Sequence, residues 1–230
     1  MSESAKQRVG DEVAGWAEDG MVVGLGTGST AVKAIEALGR RVRAGEVSVR
    51  GVATSFFAER AARAAGIPLV TLDEVSGIDM AFDGADEVTP SFELIKGRGA
   101  AFTREKIVAT AADRFIILVD ESKLVSRLGT VWPVPVEVHP MALAPVSRAL
   151  TALGAEAVLR IASKKDGPVV TDQGFWVVDA RFDGIDDSRT MDQRIKMIPG
   201  VLDHGIFVDL ATDVLIGRND GEIEHRELRG

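Results

Sequence analysis

The stretch IKGRGAAFTREK, Ile95 to Lys106, joins a basic, glycine-rich turn, Lys96-Gly97-Arg98-Gly99, to a helical run from Ala100 to Asp113. In that run a single acidic residue, Glu105, stands where the periodicity calls for an apolar one. At ~100° per residue Glu105 shares its face with Ala101, Phe102, Val108, Ala109 and Ala112. A carboxylate in that company is partly desolvated; its pKa then rises toward neutrality, and it becomes a better general base than a solvated Glu. Spacing alone leaves a structural alternative open: Glu105 reaches solvent, or pairs with Arg98 or with a basic residue elsewhere. Lys96 and the N–H groups at the helix start offer donors to an oxyanion.

Three other stretches set polar groups at element ends. GLGTGST, Gly24 to Thr30, follows an apolar run and opens a helical one, so its N–H groups and the helix dipole form an anion cradle. It is not a Walker loop, because no Lys precedes Ser29, and it lacks the third Gly of GxGxxG. The structural alternative is a tight turn capped by Ser29 or Thr30. DGADEV, Asp83 to Val88, sets Asp83, Asp86 and Glu87 just after a strand, where open α/β sheets bind ligands, and Gly84 would let a ligand approach the backbone. Carboxylates there can bond sugar hydroxyls and transfer their protons; an acidic turn can equally be solvated surface, and EF-hand spacing is absent. VDESKLVSRLG, Val119 to Gly129, presents Asp120, Ser122 and Lys123 after a strongly apolar strand. Lys123 is either a point charge for a phosphate or a surface lysine in a loop that starts a helix.

The elements that must hold these stretches alternate in type. A helix near Ala5 to Glu18 is followed by strand MVVGL, helix STAVKAIEALGRRVRAG, strand SVRGVAT, helix SFFAERAARAAG and strand PLVTL; then come strand IDMAFDG, the Ala100 helix and strand RFIILVD. Short apolar strands separated by helices predict a doubly wound, mostly parallel sheet of Rossmann type, covered on both faces. Pro133, Pro135, Pro140 and Pro145 mark a boundary. Beyond it, PVEV, PVSRALTALG, EAVLRIA, VVTDQGFWVVDARF, RTMDQRIKMI and VLDHG read as βαββαβ, the order of a small ferredoxin-like α+β domain. The expected division is residues 1–131 with 205–230 as the catalytic domain and 132–204 as the small domain, a candidate oligomer interface.

Composition narrows the function classes. With 46% hydrophobic and 27% charged residues, the 230-residue chain is long enough for one or two packed domains. A net charge of -8 argues against broad contact with nucleic acid or an anionic membrane. The longest strongly apolar run, Phe115 to Val119, is far short of the ~20 residues of a membrane-spanning helix, and the first residues lack an apolar signal core, which makes a cytoplasmic location the expectation. The absence of cysteine excludes disulfide and thiolate chemistry, and His139, His204 and His225 are too scattered for a histidine metal site.

GLGTGST, FDGADEV, IKGRGAAFTREKIVA, VDESKLVSRLG, PVPVEVHPMA and MIPGVLDHGIF, in this order and at these intervals, resemble the A-type ribose-5-phosphate isomerase family over nearly the whole chain. The resemblance implies metal-independent interconversion of ribose 5-phosphate and ribulose 5-phosphate, no cofactor, and a homodimer or homotetramer. It implies sugar-phosphate contacts from Thr27, Gly28, Ser29 and Thr30, from Asp83, Gly84, Ala85 and Asp86, and from Lys96, Gly97, Arg98 and Gly99. Glu105 becomes the proton acceptor, Lys123 a substrate ligand, and Lys6 a basic residue near the phosphate. Asp83 is expected to open the sugar ring, Lys96 to assist and to stabilise the oxyanion, and Asp86 to orient the substrate.

Two positions depart from the family pattern. Arg98 interrupts the usual KGGG, either pointing outward with its N–H available or adding a charge to the site, and Phe56 and Phe57 stand where small and hydroxyl residues are more usual. The rival readings are another sugar-phosphate enzyme, such as an amino-sugar phosphate deaminase or a phosphogluconolactonase, which would need a site histidine, and a sugar-phosphate sensing module.

Overall fold

The computed structural model describes residues 3–218 and 220–228. The chain forms two units. The first runs to Ala85, takes up Arg104–Lys123 and resumes at Leu210; the second comprises Asp86–Thr103 and Leu124–Asp209. This assigns 86–103, 124–131 and 205–209 to the second unit, where the sequence reading had them in the first.

The first unit begins with α1 (Glu3–Gly15), β1 (Val22–Leu25), α2 (Ser29–Arg43), β2 (Arg50–Ala53), α3 (Phe56–Ala65) and β3 (Met80–Gly84). Two short strands of the second unit follow, β4 (Glu87–Val88) and β5 (Leu94–Ile95), before α4 (Phe102–Thr110), whose first turn spans the boundary, and β6 (Phe115–Asp120).

The second unit continues with β7 (Val134–Val138), α5 (Leu143–Ala152), β8 (Glu156–Leu159), β9 (Trp176–Arg181), α6 (Ser188–Lys196), β10 (Val201–His204) and β11 (Ile206–Phe207); β12 (Asp213–Gly217) and β13 (Ile223–Glu227) belong to the first.

In the first unit the strand order is β13-β12-β6-β3-β1-β2, parallel throughout except for the β12–β13 hairpin. The inner strands are almost wholly buried, which is why VVGL, FIILVD and DVLIG read as continuous apolar runs rather than alternating ones. Their side chains pack with Ile35 and Leu38 of α2 and Val9 and Val13 of α1. The helix α3 starts where Ser55 accepts the Ala58 N–H at 3.0 Å and stops at Gly66 in the left-handed region. PLVTL does not form a strand. Only Leu69 bridges to Gly51, and Thr71 and Glu74 then close a capping box that turns the chain into a 3-10 turn, Leu72–Glu74.

The second unit holds a four-stranded antiparallel sheet, β10-β7-β9-β8, with α5 and α6 supplying the expected βαββαβ order. Val134, Val136, Val138, Val146, Leu150, Val178 and Ile195 form its core. The long run 169–182 splits at a turn in which the Gly174 N–H donates to the Thr171 carbonyl at 2.9 Å, leaving Trp176–Arg181 as strand. A three-stranded sheet, β11-β5-β4, is built from two-residue strands too short to leave a periodic signal. No helix among the described residues is long and apolar enough to cross a membrane.

Candidate active site

In the first unit β1 lies between β2 and β3, so the chain leaves β1 at a switch in strand order, where open α/β sheets leave a crevice at the carboxyl ends. The residues of GLGTGST leave β1 there. A Cβ on Gly26 would lie 2.4 Å from the Phe82 carbonyl oxygen and 2.5 Å from Asp83 Oδ1, so the loop rests directly on the end of β3 and admits no side chain at that point. Asp83, only 1% exposed, holds it there: Oδ1 accepts the Thr27 N–H at 3.0 Å and the Gly84 N–H at 2.8 Å. Gly28 then takes a φ of +112° and α2 starts at Ser29. Ser29 is exposed and Thr30 half-buried, both at the positively polarised end of the helix.

A chain of hydroxyls supports this loop from β2. Thr54 Oγ1 donates to the Leu25 carbonyl at 2.9 Å, which leaves it only an acceptor for Thr27 Oγ1, 2.8 Å away. Thr27, having given its proton to Thr54, must accept from Ser55 Oγ at 2.6 Å. The protons therefore run Ser55 to Thr27 to Thr54 to Leu25. Thr27, expected as a substrate contact, has its donor committed to this chain. Sequence reasoning missed Thr54 and Ser55 as supports, because the neighbouring Phe56 and Phe57 are the more conspicuous residues; both are exposed. The available signal was a hydroxyl pair at a strand-to-helix junction.

Glu105 stands in the first turn of α4 and is 4% exposed. Ala101, Phe102, Val108 and Ala109 are buried with it and Ala112 is half-buried, the apolar face read from the sequence. Beside it, Arg104 donates to the Ala53 carbonyl at 3.2 Å and lies 5.3 Å from the Phe56 ring centre. Lys123 closes the turn Glu121–Lys123 after β6 and is half-buried, while Ser122 bonds Asp120 through its N–H at 2.8 Å. Lys6 on α1 pairs with Glu3 at 2.7 Å.

The second unit carries the other expected residues. Asp86 is fixed by its N–H to the Ile95 carbonyl at 2.7 Å, and its Oδ2 accepts the Arg98 N–H at 3.1 Å. Lys96 is 2% exposed; its N–H donates to Gly205, and Nζ lies 5.5 Å from the Phe207 ring centre, a favourable cation–π placement. Gly97 has a φ of +105°, and a Cβ there would meet Phe102 Cδ1 at 2.4 Å and Pro135 Cγ at 2.7 Å. The Arg98 side chain points outward, exposed and with its guanidinium 4.3 Å from the Trp132 ring centre, but its N–H is not left available, being taken by Asp86. Gly99 is likewise exposed.

Glu87, which in sequence looks like a third member of the acidic turn, is structural. It is fully buried in β4, and its carboxylate accepts three backbone N–H bonds, from Gly129, Val131 and Trp132, each at 2.7 Å. Those bonds tie the start of 124–209 to β4, which is one reason the second unit begins earlier than the proline cluster suggests. Glu137 on β7 escaped the sequence reading. Burial pushes its carboxyl above the usual range, and hydrogen bonds from Thr103 and Thr171 partly offset that rise. Thr103 lies two residues before Glu105 on α4.

The family model for ribose 5-phosphate isomerase A (phosphoriboisomerase A) matches residues 50–221. The curated ribose-5-phosphate isomerase A of Thermosynechococcus vestitus is 55% identical over 225 residues, 97% of this chain and 95% of that protein. The chain belongs to the ribose 5-phosphate isomerase A family. The family member of Thermococcus kodakarensis is 51% identical over 95% of this chain and 96% of its own length. Among solved structures, ribose 5-phosphate isomerase A from Methanocaldococcus jannaschii superimposes with a TM-score of 0.95 at 46% identity, covering 99% of this chain and 100% of that one. A D-ribose-5-phosphate isomerase in complex with phospho-erythronic acid matches with a TM-score of 0.96 at 46% identity and the same coverage.

Proposed function

We propose that this protein interconverts D-ribose 5-phosphate and D-ribulose 5-phosphate through a cis-enediolate, as a step of pentose phosphate metabolism. The observation that carries this reading is Glu105, a carboxylate 4% exposed on the apolar face of α4 in a chain of this family. Asp83 acts as acid and base in opening the sugar ring, assisted by Lys96. Glu105 then takes the proton from carbon 2 and returns it to carbon 1, while a hydroxyl proton passes from O2 to O1, so the aldehyde becomes a hydroxymethyl group and carbon 2 a ketone. Negative charge developing on oxygen meets Lys96 and backbone N–H groups of the turn at Gly97 and Gly99, and each such donor is worth ~10²-fold or more in turnover. Asp86 orients the substrate by hydrogen bonding. Gly28, Ser29, Thr30 and Lys123 hold the sugar phosphate, while Thr27, whose N–H and hydroxyl are both committed, acts through the set of its loop.

A relative's complex with phospho-erythronic acid supports this route, because the carboxylate of a phosphorylated sugar acid shares with an enediolate a planar centre with negative charge spread over oxygen. The test is conversion of ribose 5-phosphate to ribulose 5-phosphate by the purified chain, with and without EDTA. Turnover that survives chelation is the expected result. Tight binding of ribose 5-phosphate without turnover would replace the enzyme reading with that of a sugar-phosphate sensor.

A further inference from the structure

The oxyanion donors of the proposed reaction include peptide N–H groups of the turn Gly97–Ala100, and a peptide group is directed by whatever holds its carbonyl. In a planar trans peptide the C=O of one residue and the N–H of the next point in opposite directions. The Gly97 carbonyl accepts two donors, the Ala100 N–H at 3.0 Å, which closes the turn, and Arg160 Nη1, also at 3.0 Å. The Arg98 carbonyl accepts the same Arg160 Nη1 at 3.1 Å. With both carbonyls drawn to one guanidinium, the N–H groups of Arg98 and Gly99 are turned to the opposite side. The Arg98 N–H marks that side by meeting Asp86 Oδ2 at 3.1 Å.

The guanidinium is itself held. Arg160 follows β8, and Asp179 on β9 grips its other edge through Nε at 2.9 Å and through Nη2, a bidentate pairing that fixes the plane of the fork. The turn needs such a hold. Gly97, at a φ of +105°, takes a conformation open to glycine, but Ala100, a residue with a Cβ, has a φ of +58°, which persists only where surrounding structure imposes it.

We infer that Arg160, oriented by Asp179, is a positioning residue of the isomerase: by holding two successive carbonyls it sets the Arg98 N–H on Asp86, the residue that orients the substrate, and aims the Gly99 N–H at the developing oxyanion. This rests on the isomerase reading above. Lys is a poor substitute, because a single ammonium on a flexible stem cannot reproduce a planar fork that grips a carboxylate and two carbonyls together.

The test uses the full chain with Arg160→Met, Arg160→Lys and Asp179→Asn, and reads kcat, KM for ribose 5-phosphate, the inhibition constant of phospho-erythronic acid, and melting temperature. In Arg160→Met kcat is expected to fall ~10- to 100-fold while KM stays within about 3-fold, because the turn loses donors used chiefly in the transition state. The inhibition constant of the planar acid should rise in step with the loss of kcat. Arg160→Lys should recover part of both, and Asp179→Asn, which keeps the cation but loosens its orientation, should lose about 3- to 10-fold. If Arg160→Met does not fold, Asp179→Asn carries the test through the same pair of readouts. Unchanged kcat and inhibition constant in a folded variant, or a loss of kcat that follows melting with the inhibition constant unmoved, would overturn the inference. A wild-type chain that does not turn over ribose 5-phosphate would remove the isomerase reading and this inference with it.

Discussion

Two glycine-rich turns in this molecule face the same problem and are held by different means. The loop Gly26 to Thr30 is secured by groups at the ends of its neighbouring strands: Asp83 takes its N–H, and a chain of hydroxyls runs from Ser55 through Thr27 and Thr54 to β1. The turn Gly97 to Ala100 is secured by remote groups: Arg160 holds its carbonyls, Trp132 supports the Arg98 side chain, and Phe102 and Pro135 leave no room at Gly97. The contrast is sharpest between Gly28, at a φ of +112° with nothing within 4 Å of where a Cβ would stand, and Gly97, at +105° in crowded surroundings. A positive φ alone therefore does not predict what a glycine is worth. The first turn is seated on β3 and tied by Asp83 and a few hydroxyls, with open space at its positive-φ glycine, and the second is wedged in place at that position.

The largest effect is expected at Glu105, the proposed base. Glu105→Gln should lower kcat ~10³-fold or more with little change in melting temperature, since it removes a base and leaves the helix intact. Turnover near wild type would remove Glu105 as the base. Next come the two glycines. Gly97→Ala should cost ~3 kcal/mol or more in denaturant unfolding, through strain added to overlap with Phe102 and Pro135, whereas Gly28→Ala should cost only ~1–2 kcal/mol of backbone strain. Equal losses would erase the distinction between the two turns. Glu87→Gln probes the remote scaffold, because an amide NH₂ cannot accept the N–H groups that now converge on the carboxylate; a loss of ~2–3 kcal/mol is expected, read by chemical melts. The smallest effect belongs to Arg98→Gly. With the side chain lying on Trp132, kcat and KM should each stay within about 3-fold, and stability should fall by ~0.5–1 kcal/mol from the lost cation–π contact. A large rise in KM would instead give Arg98 a part in binding.

Much of this was legible along the chain. Continuous apolar runs alternating with helical ones pointed to the parallel sheet, the βαββαβ order to the second unit, and the periodicity around Glu105 to its apolar face. Other features left no local trace. Strands of two residues have no period to detect, PLVTL is diverted by a capping box that competes with strand pairing, and 169–182 is interrupted at Asp172-Gln173-Gly174, a turn signal inside an otherwise strand-like run. Arg160 reads as an ordinary charged residue after a strand, because the carbonyls it holds lie more than sixty positions away.

Fold class and family were decided by the amino-acid order alone, since periodicity, strand composition and an ordered set of motifs are all recorded locally. Tertiary packing was needed to separate residues that the sequence presents as equals. In DGADEV, Asp83 holds the glycine-rich loop after β1, Asp86 meets the Arg98 N–H, and Glu87 is consumed by three N–H groups more than forty residues downstream. Hydrogen bonds act over about 3 Å, and which donors come within that reach is fixed by packing between distant segments, not by the spelling of the turn.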